Sequence, residues 1–328
     1  MDSSVDISDP ESKGSSFFSR RLLFVLAGIA LVAAVLLALL GVGEKSGALS
    51  DWQAFVLGIT QGLTELLPIS SSGHLILVPW LGNWHYLENH EVFNKTFDVA
   101  LHVGTLIAVV AYFWTEIVAI LRAWFGSIRR RSITSQDERL AWLLLIATIP
   151  AALGGAVGET FIEKRLGQPW QISIALALFA VALWLADRLP ENKPMTKLRY
   201  RDALALGFAQ MLALVPGVSR SGITITGARL FKLDRDSAAR FSFLMLVPVV
   251  FGAALLKTVK VLGSGLPAGW AGPFAVGILA AAGSGLVAIW GLLGYLRRHD
   301  YSLFVIYRLL AALAVLILII SGVRGSTF

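Results

Sequence analysis

Long apolar runs dominate the chain and predict membrane-spanning helices. Runs of about 17–25 apolar residues match the hydrocarbon core of a bilayer. Six such runs predict full-length spans, at residues 97–121, 140–157, 170–186, 240–261, 271–294 and 303–322. A seventh run, from Leu22 to about Val42, follows Arg20 and Arg21 and predicts a retained N-terminal anchor helix. A signal peptide is the alternative for this run, but signal peptides carry only roughly 7–15 apolar residues.

Two further apolar segments, residues 53–81 and 202–231, are each broken near the middle. The breaks are the Pro68–His74 stretch, PISSSGH, and the Pro216–Gly222 stretch, PGVSRSG. Each half is too short to cross a bilayer alone. Irregular backbone at membrane depth is tolerated only where protein or a water-filled cavity satisfies it. Both segments are therefore predicted to be re-entrant helix–loop–helix hairpins.

The two broken segments are internal repeats of each other. A shift of 149 residues aligns them with eight identities in 20 positions, where this composition gives roughly one or two by chance. The matched residues in the first segment are Ala54, Leu57, Gly58, Gln61, Leu63, Ser70, Ser72 and Gly73. An inverted pair of such repeats forms its site near the midplane, where the broken helices meet. The two loops are thus expected to lie together.

Basic residues predict the orientation of the chain. Segments 122–139 and 187–201 each carry five Lys or Arg, and Arg297 and Arg298 follow the span at 271–294. Segment 158–169 has only two basic residues. By the positive-inside rule, the basic segments and the N-terminus face the cytoplasm. The first hairpin then enters from outside and the second from the cytoplasm.

Composition narrows the class of protein. Of 328 residues, 56% are apolar and 15% charged, and the mean hydropathy is +0.72. These values exclude most soluble folds and disorder. The net charge of +7 is assigned to loops rather than to nucleic-acid binding, and the lack of Cys excludes disulfides and thiol catalysis.

The fold predicted is an all-α polytopic membrane protein with inverted-topology repeats. Its parts are a disordered cytoplasmic tail (1–19), the anchor helix (20–43) and a membrane domain (51–322), with repeats at about 51–186 and 200–322.

The first break carries a cluster of reactive side chains. Gln61 and Glu65 are four residues apart, so they share one helical face. An acidic residue within a membrane segment is usually functional. The loop adds hydroxyl groups and an imidazole, from Ser70, Ser71, Ser72 and His74. Structural explanations are the alternative for single residues, because serines in membrane helices often bond back to a carbonyl.

The second break adds an arginine. A guanidinium inside an apolar segment is costly, and the planar fork of Arg220 suits phosphate oxygens. Its neighbours offer hydroxyls and backbone N–H groups at a helix start, where anions bind: Ser219, Ser221 and Gly222, with Thr224 beyond. A purely structural pair with Glu65 is the alternative. The combined set predicts phosphoryl transfer to a serine or to water. Asp98 and His102 lie four residues apart at the start of a span. A metal site or the lining of the cavity is one interpretation of this pair, and a role in supporting the site or the structure is preferred.

The motifs resemble those of a known family. Gln61-Gly-Leu-Thr-Glu65, followed by Leu-Pro-Ile-Ser-Ser-Ser-Gly-His74, resembles the first signature of the undecaprenyl-diphosphate phosphatases, also called bacitracin-resistance proteins. The Pro216–Gly222 stretch is similar to their second signature, and Phe97–Gly104 is also family-like. The resemblance covers about residues 51–322 and leaves out the N-terminal tail and anchor.

The resemblance implies an activity and a location. The expected reaction is hydrolysis of undecaprenyl diphosphate to the monophosphate and phosphate, which recycles the lipid carrier for peptidoglycan synthesis and gives bacitracin resistance. The expected location is the bacterial plasma (inner) membrane, with the site open to the periplasmic face. Expected partners are the lipid-linked diphosphate and membrane lipids, with a homodimer as a further option and no nucleic acid.

The resemblance also implies residue functions. Ser71 matches the nucleophile, His74 the catalytic histidine, Arg220 the phosphate-binding arginine and Glu65 the second acidic residue of the first motif. Expected phosphate-binding residues are Ser70, Ser72, Ser219, Ser221, Gly222 and Gln210. A divalent cation, Mg²⁺ or Ca²⁺, is implied at Glu65 and Gln61, where a Gln in place of Glu offers less charge.

Two questions stay open at this level. The base is either His74 or Glu65, and attack by water is as compatible as attack by Ser71. A polyprenyl-phosphate transporter or flippase is the alternative function, because inverted repeats with broken helices are typical of transporters.

Overall fold

A computed structural model describes residues 22, 25, 27–33, 49–84, 91–191, 193–264 and 269–326. These residues are almost all helical, and the part of the chain described holds no strand beyond one bridge between Lys193 and Leu233. The predicted tail at 1–19 lies outside these residues, as does most of the anchor at 20–43. Residues 27–33 of the anchor are helical.

Eleven helices follow in the described residues after position 49. The first broken segment forms α1 (Asp51–Leu66) and α2 (Ser71–Gly82), and the second forms α7 (Tyr200–Leu212) and α8 (Arg220–Leu230). The others are α3 (Glu91–Tyr112), α4 (Trp114–Arg130), α5 (Gln136–Arg165), α6 (Pro169–Asp187), α9 (Arg235–Ser264), α10 (Ala271–Leu296) and α11 (Ser302–Ile320). A 3₁₀ turn, Met195–Lys197, precedes α7.

Five of these helices are long and apolar enough to cross a membrane: α5, α6, α9, α10 and α11. They coincide with five of the six predicted full-length spans, so the prediction of an all-α multi-pass membrane protein is confirmed. Helix α5 is longer than its predicted span and continues to Arg165, while α9 begins early, at Arg235.

The sixth predicted span, 97–121, is not one continuous helix. Helix α3 ends at Tyr112, and after Phe113 the chain bends by 87° into α4. The apolar run hides this bend because α4 is amphipathic: Ile117 and Ile120 are buried while Arg122 is exposed. Average hydropathy does not separate an amphipathic helix from the end of a span. Three of the basic residues assigned to the loop 122–139 therefore lie on α4.

Glycines let the broken helices pack closely against spans from elsewhere in the chain. A Cβ on Gly58 of α1 would lie 2.6 Å from the carbonyl oxygen of Gly277 on α10. A Cβ on Gly207 of α7, the matching repeat position, would lie 2.7 Å from the carbonyl oxygen of Ala147 on α5. Both contacts require a residue without a side chain. They fix α1 and α7, whose C-terminal ends carry the two loops.

A buried ionic network ties α6, α8, α9 and α11 at one end. Asp187 accepts from Arg229 at 3.1 Å, from Arg235 at 2.8 Å and from the backbone N–H of Tyr301 at 3.0 Å. Arg229 is fully buried and also donates to the carbonyls of Asp187 and Leu189. The network anchors the C-terminal end of α8, whose other end bears Arg220.

Candidate active site

Both loops end in a serine with the same unusual backbone. Ser70 has φ 77° and Ser219 has φ 76°, a region that non-glycine residues rarely adopt. Each serine caps the helix that follows: the Ser70 Oγ accepts from the Gly73 N–H at 3.3 Å, and the Ser219 Oγ accepts from the Gly222 N–H at 3.0 Å. The two positions are 149 residues apart, so the local geometry agrees with the repeat. The opposite entrance of the two hairpins stays a prediction.

Glu65 is the centre of the cluster. Its side chain is buried, and Arg220 Nη2 donates to its Oε1 at 3.0 Å. Its Oε2 accepts from Ser71 Oγ at 2.5 Å and from Gln61 Nε2 at 3.2 Å. Arg220 begins α8, whereas Ser71 begins α2. The structure thus brings the two broken segments together at one carboxylate.

Arg220 is held on two sides. Besides Glu65, its Nη1 donates to the carbonyl of Ser242 on α9 at 2.6 Å. The Ser242 hydroxyl is 2.8 Å from the hydroxyl of Thr224, one turn further along α8. These contacts fix the plane of the guanidinium, while 13% of the side chain stays accessible. A fixed and accessible fork is suited to bidentate contact with phosphate oxygens.

The remaining serines join the loops rather than stand free. Ser221 Oγ donates to the Leu67 carbonyl of the first loop at 3.0 Å and lies 3.2 Å from Ser219 Oγ. Ser70 Oγ and Ser72 Oγ are 3.5 Å apart. Gln210 lies further along α7, where its Nε2 donates to the Ala147 carbonyl at 3.3 Å.

His74 lies beside the cluster but contacts other partners. Its Nδ1 is 2.7 Å from the Ser70 carbonyl oxygen, and its Nε2 is 2.7 Å from the Tyr307 hydroxyl on α11. A carbonyl only accepts, so Nδ1 carries a proton and the neutral ring accepts at Nε2 from Tyr307. The two rings stack at 5.6 Å. In the part of the chain described, no hydrogen bond joins His74 to Glu65.

His102 occupies the position beside Glu65 instead. Its Nε2 lies 3.4 Å from Glu65 Oε2, and its Nδ1 is 2.7 Å from the Asp98 carbonyl oxygen. The sequence named this residue only as a supporting candidate. The signal was present in the Asp98–His102 spacing at the start of α3, but spacing alone did not reveal which residue His102 faces.

Arg308 was not singled out from the sequence, although it is a charge inside the apolar run 303–322. The residue is fully buried on α11. Its guanidinium donates to carbonyls of both loops: to Pro68 at 3.2 Å, and to Gly217 and Val218 at 3.1 Å each. It also donates to the Leu176 carbonyl of α6 at 3.1 Å. One side chain of the last span thus holds both loops against each other.

Comparison with known proteins identifies the family. The profile of the family described as bacitracin resistance protein BacA matches residues 54–314. An undecaprenyl-diphosphatase of Thermomicrobium roseum is 44% identical over 282 residues, which cover 83% of this chain and 99% of the relative. The chain belongs to the BacA family. Two further proteins named undecaprenyl-diphosphatase are similar to this chain. The one from Geobacter sulfurreducens is 46% identical over 265 residues, which cover 80% of this chain and 96% of the relative. The one from Moorella thermoacetica is 46% identical over 262 residues, which cover 79% of this chain and 94% of the relative.

The matched region of this BacA-family chain contains every residue of the Glu65 cluster as well as His102 and Arg308. The predicted N-terminal tail (1–19) and the predicted anchor helix (20–43) precede it. The family resemblance inferred from the two motifs is therefore confirmed by similarity over most of the chain.

The residues around Glu65 do not form a metal cage of their own. Within the described residues, no group of three His, Cys, Asp or Glu side chains could hold a metal ion. Glu65 contributes one carboxylate, and the Gln61 Oε1 is buried with no hydrogen-bond partner. One carboxylate and one amide oxygen fit a cation that also binds substrate phosphates, which is how Mg²⁺ is commonly held.

Proposed function

We propose that this BacA-family protein hydrolyses undecaprenyl diphosphate to undecaprenyl phosphate and inorganic phosphate. The lipid carrier would return to peptidoglycan synthesis, and bacitracin resistance would follow. The observation that carries the proposal is the chain of contacts from Ser71 through Glu65 to Arg220, which joins a hydroxyl, a carboxylate and a guanidinium from two loops. The names of the similar proteins support the same substrate.

Ser71 is the proposed nucleophile and Glu65 its base. The Ser71 hydroxyl already donates to Glu65 at 2.5 Å, and His102 orients the same carboxylate oxygen. This order of nucleophile, base and orienting group is the general arrangement that activates a hydroxyl for attack. The contact with Ser71 supports Glu65 rather than His74 as the base.

The reaction proceeds in two displacements. Ser71 Oγ forms a bond to the terminal phosphorus as its proton passes to Glu65. The bridging P–O bond breaks, and its electron pair leaves with undecaprenyl phosphate. Water then attacks the phosphorus of the phosphoserine and the P–Oγ bond breaks. Glu65 returns its proton to Ser71 Oγ, and inorganic phosphate departs with the oxygen and the proton of the water. Arg220 stabilises the charge on the equatorial oxygens in both steps.

The other groups bind rather than react. His74 and Ser71 are three residues apart on α2 and share a face, so His74, with Tyr307, is assigned to the phosphate that stays on the lipid. Further phosphate contacts are assigned to the serines that flank the two helix starts (Ser70, Ser72, Ser219 and Ser221), to Gly222, and to Gln210 at longer range. Glu65 and Gln61 would hold the cation, Mg²⁺ or Ca²⁺, which neutralises phosphate charge when bound.

The proposed setting is the bacterial inner membrane, with the site open to the periplasmic face. The isoprenoid tail stays in lipid while the diphosphate reaches the loops. A homodimer is compatible with this arrangement, and no nucleic acid is involved.

Phosphate release from a short prenyl diphosphate by the detergent-purified full chain tests the activity. Wild type should release phosphate, and Arg220→Ala should lose nearly all of it, together with some thermal stability, because the buried Glu65 carboxylate loses its partner. A chelator should reduce release, with recovery on adding Mg²⁺ or Ca²⁺. Absence of release by wild type, together with tight binding of the lipid phosphate and its movement across vesicles, would overturn the proposal in favour of a transporter.

A further inference from the structure

Helix α4 differs sharply in direction from the helix that precedes it. It follows α3 after a bend of 87°, so it runs nearly at right angles to the helix before it. Its 17 residues extend about 25 Å at 1.5 Å per residue. If α3 runs along the membrane normal, a helix at this angle to it runs along the membrane surface.

The side chains of α4 divide into three sectors at about 100° per residue. One sector faces the protein, with Ile117, Ile120 and Ser127 buried. A second sector, about 60° wide and roughly 100° away from the first, is apolar and exposed; it consists of Trp114, Leu121, Phe125 and Ile128. The apolar sector is therefore not the one that packs on the protein.

The third sector is polar. It holds Thr115, Arg122, Arg129 and Arg130, all exposed. Arg130 pairs with Glu138 on α5, whereas Arg122 and Arg129 make no ion pair in the described part of the chain. An interfacial helix inserts an apolar side between the acyl chains and places basic residues at the lipid headgroups. The two exposed sectors of α4 meet these requirements, while its third sector packs on the protein.

We propose that α4 lies in the headgroup layer of the membrane and binds anionic lipids. The exposed apolar sector, here called the α4 lipid face (Trp114, Leu121, Phe125 and Ile128), would insert between acyl chains. Arg122 and Arg129 flank it and reach the phosphate groups of an anionic lipid surface. The helix carries three Arg and one Glu, a net charge of +2 that complements such a surface. The proposal does not depend on the phosphatase activity.

Nitroxide labelling tests the insertion, because the chain has no Cys and every introduced thiol is unique. Phe125→Cys labels the α4 lipid face, and Thr115→Cys labels the polar sector of the same helix. Leu185→Cys, exposed on the membrane span α6, serves as the acyl-chain reference. The probe is power saturation with oxygen and with a water-soluble nickel complex, in phosphatidylcholine vesicles containing phosphatidylglycerol.

The expected result is an oxygen-rich label at position 125, as at 185, and a nickel-accessible label at 115. Equal nickel access at 115 and 125 would overturn the insertion of α4, because both sectors would then face water. Low access to both agents at 125 would also overturn it, because the sector would then be covered by protein.

Lipid selectivity is tested by native mass spectrometry of the full chain with phosphatidylglycerol and phosphatidylcholine in competition. Arg122→Gln combined with Arg129→Gln should lower the retention of phosphatidylglycerol by about fivefold per arginine. Arg298→Gln, an exposed arginine of another loop, is the matched control and should not change it. Equal effects in the control and in the double variant would refute the anionic-lipid site.

Discussion

His102 Nε2 lies 3.4 Å from Glu65 Oε2, and the two residues belong to different helices, α3 and α1. The imidazole is held by its other nitrogen at the Asp98 carbonyl, so its orientation is fixed before substrate arrives. The Glu65 oxygens are therefore directed by four neighbouring side chains, from Arg220, Ser71, Gln61 and His102. The sequence predicted only a supporting role for His102, and this contact makes the positioning of Glu65 its proposed function.

Replacing His102 by Gln should lower kcat more than it raises KM. The carboxylate would keep Arg220 but lose one of the groups that orient Oε2 toward Ser71. A loss of about 10- to 100-fold is expected, below the full value of a general base. Steady-state phosphate release by the purified protein measures it. Asp98→Asn keeps the carbonyl that holds His102 and should have a much smaller effect; comparable losses in both variants would contradict the positioning function.

Ser71→Ala should abolish the covalent step. With the nucleophile removed, activity should fall by about 10³-fold or more, because only binding and charge stabilisation remain. Acid quenching of wild type during turnover of terminally ³²P-labelled substrate should trap a labelled protein. Ser72→Ala, one residue further along α2, should still form it. Near-full activity in Ser71→Ala would show that water attacks directly.

Arg308→Met should destabilise the protein and misplace both loops. The change removes donors from four carbonyls in a buried site, and an unsatisfied buried group costs about 1–3 kcal/mol. The expected fall in Tm in detergent is several degrees, and Arg308→Lys should recover only part of it, because an ammonium has three donors.

A second measurement separates misplacement of the loops from unfolding. Guanidinium ion should restore part of the activity of Arg308→Gly, and methylammonium should not, since only a planar fork reaches both loops. Arg308→Met with wild-type Tm and wild-type kcat would contradict the assignment of Arg308 to the loops.

Gly58→Ala and Gly207→Ala should each destabilise the protein. The new Cβ would meet a carbonyl oxygen at 2.6 Å or 2.7 Å, and forcing the helices apart costs about 1–3 kcal/mol. Gly252→Ala on α9 is the control, because nothing lies within 4 Å of its Cβ position. Thermal unfolding in detergent compares the three variants. Equal Tm shifts in Gly58→Ala and Gly252→Ala would show that the α1–α10 contact is not tight.

The sequence predicted those features that a local pattern encodes. The Pro, Gly and Ser breaks located both loops, and Glu65 and Arg220 stood out because charges inside apolar segments are costly. The same reasoning applied to Arg308 would have identified it, but that residue sits in an otherwise regular span. The bend after Phe113 was missed because hydropathy averages over an amphipathic helix. The partners of His74 and His102 come from packing between distant helices, which no local spacing records.

The contact between α1 and α10 has a consequence for the order in which the protein assembles. Ser284 on α10 reaches the Gly58 carbonyl of α1 across 226 residues of sequence. When the ribosome has completed the first hairpin, the helix against which it packs has not yet been synthesised. Until α10 is inserted, other contacts or the insertion machinery must cover the face of α1 that carries Gly58. A chain that ends before α10 would therefore leave the Gly58 face of α1 uncovered, even though the sequences of both loops are complete.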